Sequence, residues 1–275
     1  MFVRTVDELK GTDKHITMRS GNGQTIRLLL ADDGMGFSLS DVYVTAGTEN
    51  TLWYKNHWEA NYVVAGNATL LDRTSGETWN LAPGSLYNVG PNDRHIITAI
   101  DDVQIISIFN PPVTGNEYHD DDGGYPPTGP IPPGPERMFV RSVAEMRAAG
   151  KEKVVAGGSA RTARMLLKDD GLGFTVCDVN LAPGNKNVLW YKNHWEANFI
   201  IGGSGEVTDL TSGQVWPLAP GTMYCVGPDD RHSMHAMTDL HLISVFCPAL
   251  QGDEMHDEDG ALAPSGPVPP GPELI

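Results

Sequence analysis

The chain has 275 residues, with 19 Lys and Arg against 35 Asp and Glu, a formal net charge of −16, 31 Gly and 20 Pro. That length fits two domains with proper apolar cores, and the acidic balance excludes nucleic-acid phosphates and anionic lipid as partners, since binding there depends on clustered Lys and Arg. Its three cysteines, Cys177, Cys225 and Cys247, cannot all pair and lack C-x-x-C spacing; with no signal-peptide pattern and no membrane-length apolar run, this makes the cytoplasm the expected location.

From the N-terminus, Thr5 and Glu8 have the S/T-x-x-E spacing in which two side chains satisfy orphan helix donors reciprocally, so a short helix is predicted there. Short, often alternating segments follow. They predict strands at Thr25 to Leu30, Gly36 to Val44, Thr51 to Trp58, Ala60 to Val64, Glu77 to Leu81, Ser85 to Val89, His95 to Ile100 and Val103 to Phe109. Gly, Pro, Asn and Asp clusters separate them without any helical period between, which indicates an antiparallel sandwich or barrel. Tyr125 to Glu136 is Pro-rich and favours extended, polyproline-like backbone.

At Met138 the sequence begins again. Met1-Phe2-Val3-Arg4 recurs as Met138-Phe139-Val140-Arg141, and Trp53 to Asn61 (WYKNHWEAN) recurs unchanged as Trp190 to Asn198, both at an offset of 137. Ser142 and Glu145 repeat the helix signal, and about half of all positions match without a gap. A period this long indicates duplicated domains, 1–137 and 138–275, rather than a solenoid. The second Pro-rich stretch, Leu262 to Glu273, has nothing left to link, so this segment is expected to pack along the neighbouring module instead of serving as a spacer.

Three polar groups recur at strand positions of both copies. Glu59 follows His57 by two, which puts both on one face of a strand. The stretch from Leu81 to His95 reads as turn, strand, turn and strand start, delivering Tyr87 and His95 to neighbouring strands. A Glu, a Tyr and a His inside a small barrel suit a divalent first-row metal, with Fe(II), Mn(II) and Zn(II) all compatible. Glu196, Tyr224 and His232 match them in the second copy. The same residues also read as a solvated strand carboxylate, a core tyrosine and a turn histidine, and spacing does not choose between the two. His57 is either a further ligand or a residue packed beside the site. The cysteines stand where the first copy has Ser40, Asn88 and Asn110, so no thiol role is common to both.

Glu59, six residues and Gly66, followed by Pro83-Gly84 and His95, resemble the two cupin motifs, with Trp53, Tyr54 and Lys55 near where the usual His-x-His pair would fall. The opening MFVR, the segment Gly47 to Ala60 and the tail Phe109 to Asp120 resemble ectoine synthase, and the similarity spans essentially all of each copy. It implies an all-β fold of two tandem cupin (jelly-roll β-barrel) domains, each with a short N-terminal helix. It implies a carbon-oxygen lyase that closes the ring of N-γ-acetyl-L-2,4-diaminobutyrate with loss of water, using iron held by Glu59, Tyr87 and His95 and by Glu196, Tyr224 and His232. Tyr54 and Glu117, with Tyr191 and Glu254, become candidate acid/base groups. Arg27, Phe109 and His119, with Arg164, Phe246 and His256, become candidate substrate contacts, the arginines for a carboxylate.

The sequence departs from that family in places. Gly23 and Ala160 replace a tryptophan, Ser107 and Ser244 a cysteine, and Val42 and Val179 a threonine. An intact triad in an altered pocket leaves open a metal-dependent reaction on another small molecule, or a solute-binding module without catalysis. Single-module cupins commonly pair, so an intramolecular pseudo-dimer is expected, with a further homo-oligomer left open.

Overall fold

The computed structural model describes residues 1–18, 21–155 and 158–272. Eleven strands lie in the first repeat and its flank: β1 (Phe2–Thr5), β2 (His15–Thr17), β3 (Gly23–Leu29), β4 (Ser38–Val44), β5 (Glu49–Leu52), β6 (Trp58–Ala65), β7 (Ala68–Asp72), β8 (Thr78–Leu81), β9 (Ser85–Val89), β10 (His95–Ala99) and β11 (Val103–Asn110). The second repeat carries β12 (Phe139–Ser142), β13 (Glu152–Val155), β14 (Ala160–Leu166), β15 (Thr175–Leu181), β16 (Lys186–Leu189), β17 (Trp195–Gly202), β18 (Gly205–Asp209), β19 (Val215–Leu218), β20 (Thr222–Val226), β21 (His232–Ala236) and β22 (Leu240–Cys247). Helices α1 (Val6–Leu9) and α2 (Val143–Ala148) follow β1 and β12. The expected all-β architecture is therefore present. Among the described residues, no helix is long and apolar enough to cross a membrane.

The backbone groups into two compact units, Leu9–Ser142 with Pro272, and Met1–Glu8 with Val143–Gly271. Each has a seven-stranded and a four-stranded sheet. In the first unit the orders are β12-β9-β6-β11-β4-β3-β2 and β5-β10-β7-β8; in the second, β1-β20-β17-β22-β15-β14-β13 and β16-β21-β18-β19. The compact units thus divide the chain a few residues after each repeat begins: β1 is hydrogen-bonded to β20, with Val3 opposite Tyr224, and β12 to β9, with Val140 opposite Tyr87.

Local chemistry holds β12 in place. The carboxylate of Asp93 accepts the backbone N–H of Met138 at 2.8 Å and that of Gly90 at 2.8 Å, while Asn88 Oδ1 accepts the N–H of Phe139 at 2.9 Å. Met138 is buried among Val63, Leu70, Val89 and Ile105, a contact of roughly 1.5 to 3 kcal/mol for a side chain of that size. The predicted capping box also forms: Thr5 N–H donates to Glu8 Oε2 at 3.0 Å, and Glu8 N–H to Thr5 Oγ1 at 3.2 Å.

Some predicted boundaries shift. The segment Thr51 to Trp58 is not one strand: β5 stops at Leu52, and residues 53–57 form a loop before β6. The loop exists because its side chains reach other segments instead of a ladder. Trp53 Nε1 donates to Pro91 O at 2.8 Å, and Asn56 Nδ2 to Tyr125 O at 2.8 Å. Tyr87 and His95 lie on β9 and β10, which belong to different sheets, not to neighbouring strands.

The Pro-rich segment packs on the barrel of its own unit. His57 Nε2 meets Thr128 Oγ1 at 2.9 Å and Trp58 Nε1 donates to Pro132 O at 3.0 Å. Asn193, His194 and Trp195 repeat these contacts on Leu262, Ser265 and Pro269. A Cβ on either Gly90 or Gly134 would overlap the Trp58 ring, so both glycines let the tail close over it. The second tail is described as far as Pro272, so Glu273, the last residue of the predicted segment, lies outside the described residues.

Candidate active site

Each unit contains a cavity, of about 350 Å³ in the first unit and about 390 Å³ in the second, lined by most of the polar groups expected from the sequence, though His95 and His232 are not among the lining residues. Strand periodicity builds the first. Glu59 and Asn61 alternate inward on β6; across the ladder Phe109 stands opposite Glu59, and Ser107 and Tyr87 flank Asn61 from either side. Arg27 enters from β3, and Tyr54, Glu117 and His119 come from loops. Arg164, Tyr191, Glu196, Tyr224, Phe246, Glu254 and His256 line the second cavity.

His95 opens β10 and is fully buried. Its Nδ1 lies 3.1 Å from the carbonyl of Asp93, which can only accept, so Nδ1 carries the proton. Burial holds this imidazole neutral, lowering it to about 4 against a partial lift from that carbonyl. Nε2 therefore presents a lone pair that is buried and has no hydrogen-bond partner. His232 repeats the arrangement, with Nδ1 3.1 Å from Asp230 O, Nε2 unpartnered, and its ring 6.3 Å from that of Tyr224.

Burial pushes Glu59 up to about 7, with Asn61 and Ser107 pulling the other way, and Glu196 behaves alike with Asn198 and Ser244. Burial and the neighbouring Glu59 charge raise the Tyr87 phenol well above its ordinary value. Among the described residues, no three His, Cys, Asp or Glu side chains cluster as a metal site. The candidate set has two of those types and completes itself with a phenol. A desolvated carboxyl, a phenol and an orphaned imidazole lone pair are the donor set a first-row divalent cation would satisfy, so the residues fit such a group.

His57 lies just before β6; its Nε2 meets Thr128 of the tail, its Nδ1 is buried without a hydrogen-bond partner, and burial lowers it to about 4. The cysteines are all buried, and Cys177 and Cys247 are pushed by burial up to about 12, which leaves them inert thiols.

The candidate substrate contacts are more committed than the sequence shows. Arg27 is buried, donates to the carbonyls of Gly115 and, at 2.7 Å, Glu117, and lies 3.9 Å from the Glu117 carboxylate. Glu117 in turn accepts Thr114 N–H at 2.6 Å, Thr114 Oγ1 at 2.7 Å and Gly115 N–H at 2.9 Å. Burial alone would raise Glu117, but these donors outweigh it and hold its carboxyl below the usual range. Arg164 meets the Glu254 carboxylate directly, at 3.1 Å. Tyr54 Oη is 2.9 Å from His119 Nε2, and Tyr191 Oη is 3.1 Å from His256 Nε2. Phe109 packs edge-on against Tyr54, with ring centroids 5.2 Å apart.

With that geometry in view, the family model described as ectoine synthase matches residues 1–129 and again residues 138–265. The chain belongs to the ectoine synthase family. A relative named L-ectoine synthase from Desulfosudis oleivorans is 48% identical over 127 residues, which is 46% of this chain and 96% of the relative. The L-ectoine synthase of Desulfatibacillum aliphaticivorans is 44% identical over 126 residues, 46% of this chain and 97% of its own. One ectoine synthase length therefore accounts for about half of this chain, and the family match occurs twice. A cupin 2 conserved barrel domain protein from Leptotrichia buccalis superimposes over 90% of this chain and 96% of its own, with a TM-score of 0.55 at 12% identity, which identifies the fold as cupin.

Sequence reasoning missed two ectoine-synthase cavity residues. Asn61 was legible, two residues beyond Glu59 in the repeated WYKNHWEAN segment, and it accepts a hydrogen bond from Ser107 Oγ. Tyr125 had no signal, because it sits at the head of the Pro-rich tail; its ring stacks on His119 with centroids 4.6 Å apart and planes 8° apart. A Cβ on Gly23 would stand 2.5 Å from the Tyr43 carbonyl oxygen and 2.8 Å from Sδ of Met18, itself a cavity residue, so this position has no room for a larger side chain.

Proposed function

We propose that each half is a metal-dependent site, with Fe(II) as the foremost ion and Mn(II) or Zn(II) accepted by the same donors, held by Glu59, Tyr87 and His95 and by Glu196, Tyr224 and His232. In this reading the chain works in the cytoplasm and closes the ring of N-γ-acetyl-L-2,4-diaminobutyrate, or a related N-acyl diamino acid, with loss of water. The observation that carries it is the buried, unpartnered Nε2 of His95 and of His232. When bound, the metal supplies a Lewis acid for the acyl carbonyl oxygen.

Ring closure joins the substrate amine to its acyl carbon, where a C=N bond replaces the C=O bond; the amine gives up two protons and the departing oxygen takes two as water. Tyr54 and His119 hold a proton between Oη and Nε2 and can pass it in either direction. Burial and the Glu59 charge hold the Tyr54 phenol well above its ordinary value, so at rest the proton stays on Oη. Glu117 stays ionised; it fixes the loop of residues 114–117 and balances Arg27, whose guanidinium lines the cavity while donating to the carbonyls of that loop. Phe109, Tyr54 and Tyr125 form an aromatic wall that limits water.

The test is anaerobic purification with metal analysis, then incubation with N-γ-acetyl-L-2,4-diaminobutyrate and detection of the product lighter by one water. Two metal ions per chain, ring product, and partial loss of activity with Glu59→Ala or Glu196→Ala alone are expected. A chain that binds no metal overturns the reading; one that binds metal but leaves this substrate intact moves it to a different small molecule, for which the Asn61–Ser107 pair in the cavity is the favouring observation.

A further inference from the structure

The two cavities are built from matching strands but differ in one charge. Ile16 on β2 stands opposite Thr25, and Lys153 on β13 stands opposite Thr162, the same register one repeat apart. Both line their cavities. Arg27 is the one Lys or Arg among the described residues around the first cavity, whereas Lys153 joins Arg164 around the second.

The arginines are largely spent. Arg27 is committed to two loop carbonyls, and Arg164 to the carboxylate and carbonyl of Glu254 at 3.1 and 2.9 Å. The ammonium of Lys153 makes no hydrogen bond or ion pair among the described residues. Carboxylates also stand nearby: Asp257 and Glu258 line the cavity, and the charges of Glu254 and Asp253 act on Lys153. Partial burial, with the Arg164 charge, nevertheless outweighs them and lowers the Lys153 ammonium. An ammonium at the cavity wall with no partner of its own can meet a small anion there; Ile16 offers the first cavity nothing comparable.

We propose that Lys153 is a specificity-determining residue that anchors the substrate carboxylate in the second cavity, so that the two cavities rank substrates of one class differently. The inference rests on the reading that both cavities take a small N-acyl diamino acid. Leu262 in place of Tyr125 adds to the difference, since it removes an aromatic hydroxyl from the wall of the second cavity.

The experiment uses the full chain in a Glu59→Gln background, which leaves the second cavity as the working site, with K153I and K153R as the variants. Calorimetric titration and steady-state kinetics are run with N-γ-acetyl-L-2,4-diaminobutyrate and with its primary carboxamide. K153I is expected to raise Kd and KM for the carboxylate about tenfold, the size of one charge-assisted contact, with kcat within about twofold. K153R should retain most of the affinity, and the carboxamide should bind Lys153 and K153I chains equally. Equal affinity of the K153I and Lys153 chains for the carboxylate, or equal weakening of carboxamide binding by K153I, overturns the proposal. Lys153-dependent binding without ring product sinks the reaction and leaves this proposal standing; ring product indifferent to Lys153 does the reverse. No binding at all sinks both.

Discussion

The indole Nε1–H of Trp58 donates to the carbonyl of Pro132 at 3.0 Å, and this one bond joins the strand that carries Glu59 to the Pro-rich tail. Trp58→Phe keeps most of the ring and deletes the donor, so a loss of about 1 kcal/mol is expected. Gly134→Ala should cost more, roughly 1 to 3 kcal/mol, because its Cβ has no room beside the indole and its φ of 62° disfavours a side chain. Denaturant unfolding of both variants, with limited proteolysis at residues 125–136, checks the order. A Gly134→Ala chain as stable as the parent would refute the clamp.

Asp93 spends both carboxylate oxygens on backbone, accepting Gly90 N–H and Met138 N–H at 2.8 Å each. Asp93→Ala leaves two buried donors unpaired, at about 1 to 3 kcal/mol each, while Asp93→Asn retains one acceptor and should lose about half as much. The loss should be local as well as global. Hydrogen exchange at Phe139–Ser142 is expected to speed up in Asp93→Ala before exchange in β6 or β11 does. Uniform acceleration across the unit would mean that Asp93 does not hold β12.

Much of this was readable in advance, and the misses have physical causes. The repeat, the all-β class and the inward Glu59 follow from identity at one offset and from two-residue alternation, which a buried strand face imposes. β7 escaped notice because Ala68–Asp72 is short and only Gly66 and Asn67 separate it from β6. β1 was masked by the Thr5–Glu8 capping box, which announces the helix and says nothing of the strand before it. The partner of β12 is a long-range choice, set by Asp93 and Asn88, that no local pattern encodes. In the site, ligand-type residues were visible as unusual polar groups on strands. The commitment of Arg27 to loop carbonyls was not, because the partners are backbone atoms about ninety positions away.

Asp41 offers a pH test away from the candidate metal residues. It is fully buried on β4, and burial pushes its carboxyl from 3.8 to about 6, although Gln104 and Tyr43 pull the other way. The folded state therefore holds the proton more tightly than the unfolded state, so stability is favoured below pH 4 and eroded as pH rises toward about 6. The gap corresponds to roughly 3 kcal/mol. Asp41→Asn cannot ionise and should escape that erosion, so its stability relative to the parent should rise between pH 4 and pH 7. Parallel denaturant curves at the two values check it; a difference that stays flat with pH would show that Asp41 is not protonated in the folded protein near pH 5.

The stack of Tyr125 on His119, with centroids 4.6 Å apart and planes 8° apart, gives the first cavity a wall that the second lacks at Leu262. Such a pair contributes about 0.5 to 1.5 kcal/mol beyond its buried area, and here it also fixes the imidazole that meets Tyr54. Tyr125→Leu should therefore loosen His119 without touching Glu59, Tyr87 or His95. In a Glu196→Gln background, where the first cavity works alone, the expected result is a two- to tenfold fall in kcat, in line with that energy, with metal content unchanged. The reciprocal Leu262→Tyr, in a Glu59→Gln background, should lift activity of the second cavity by supplying the missing stack for His256. If Tyr125→Leu lowers bound metal as well as rate, the tyrosine supports the metal residues and not the Tyr54–His119 pair, and its assignment to proton handling fails.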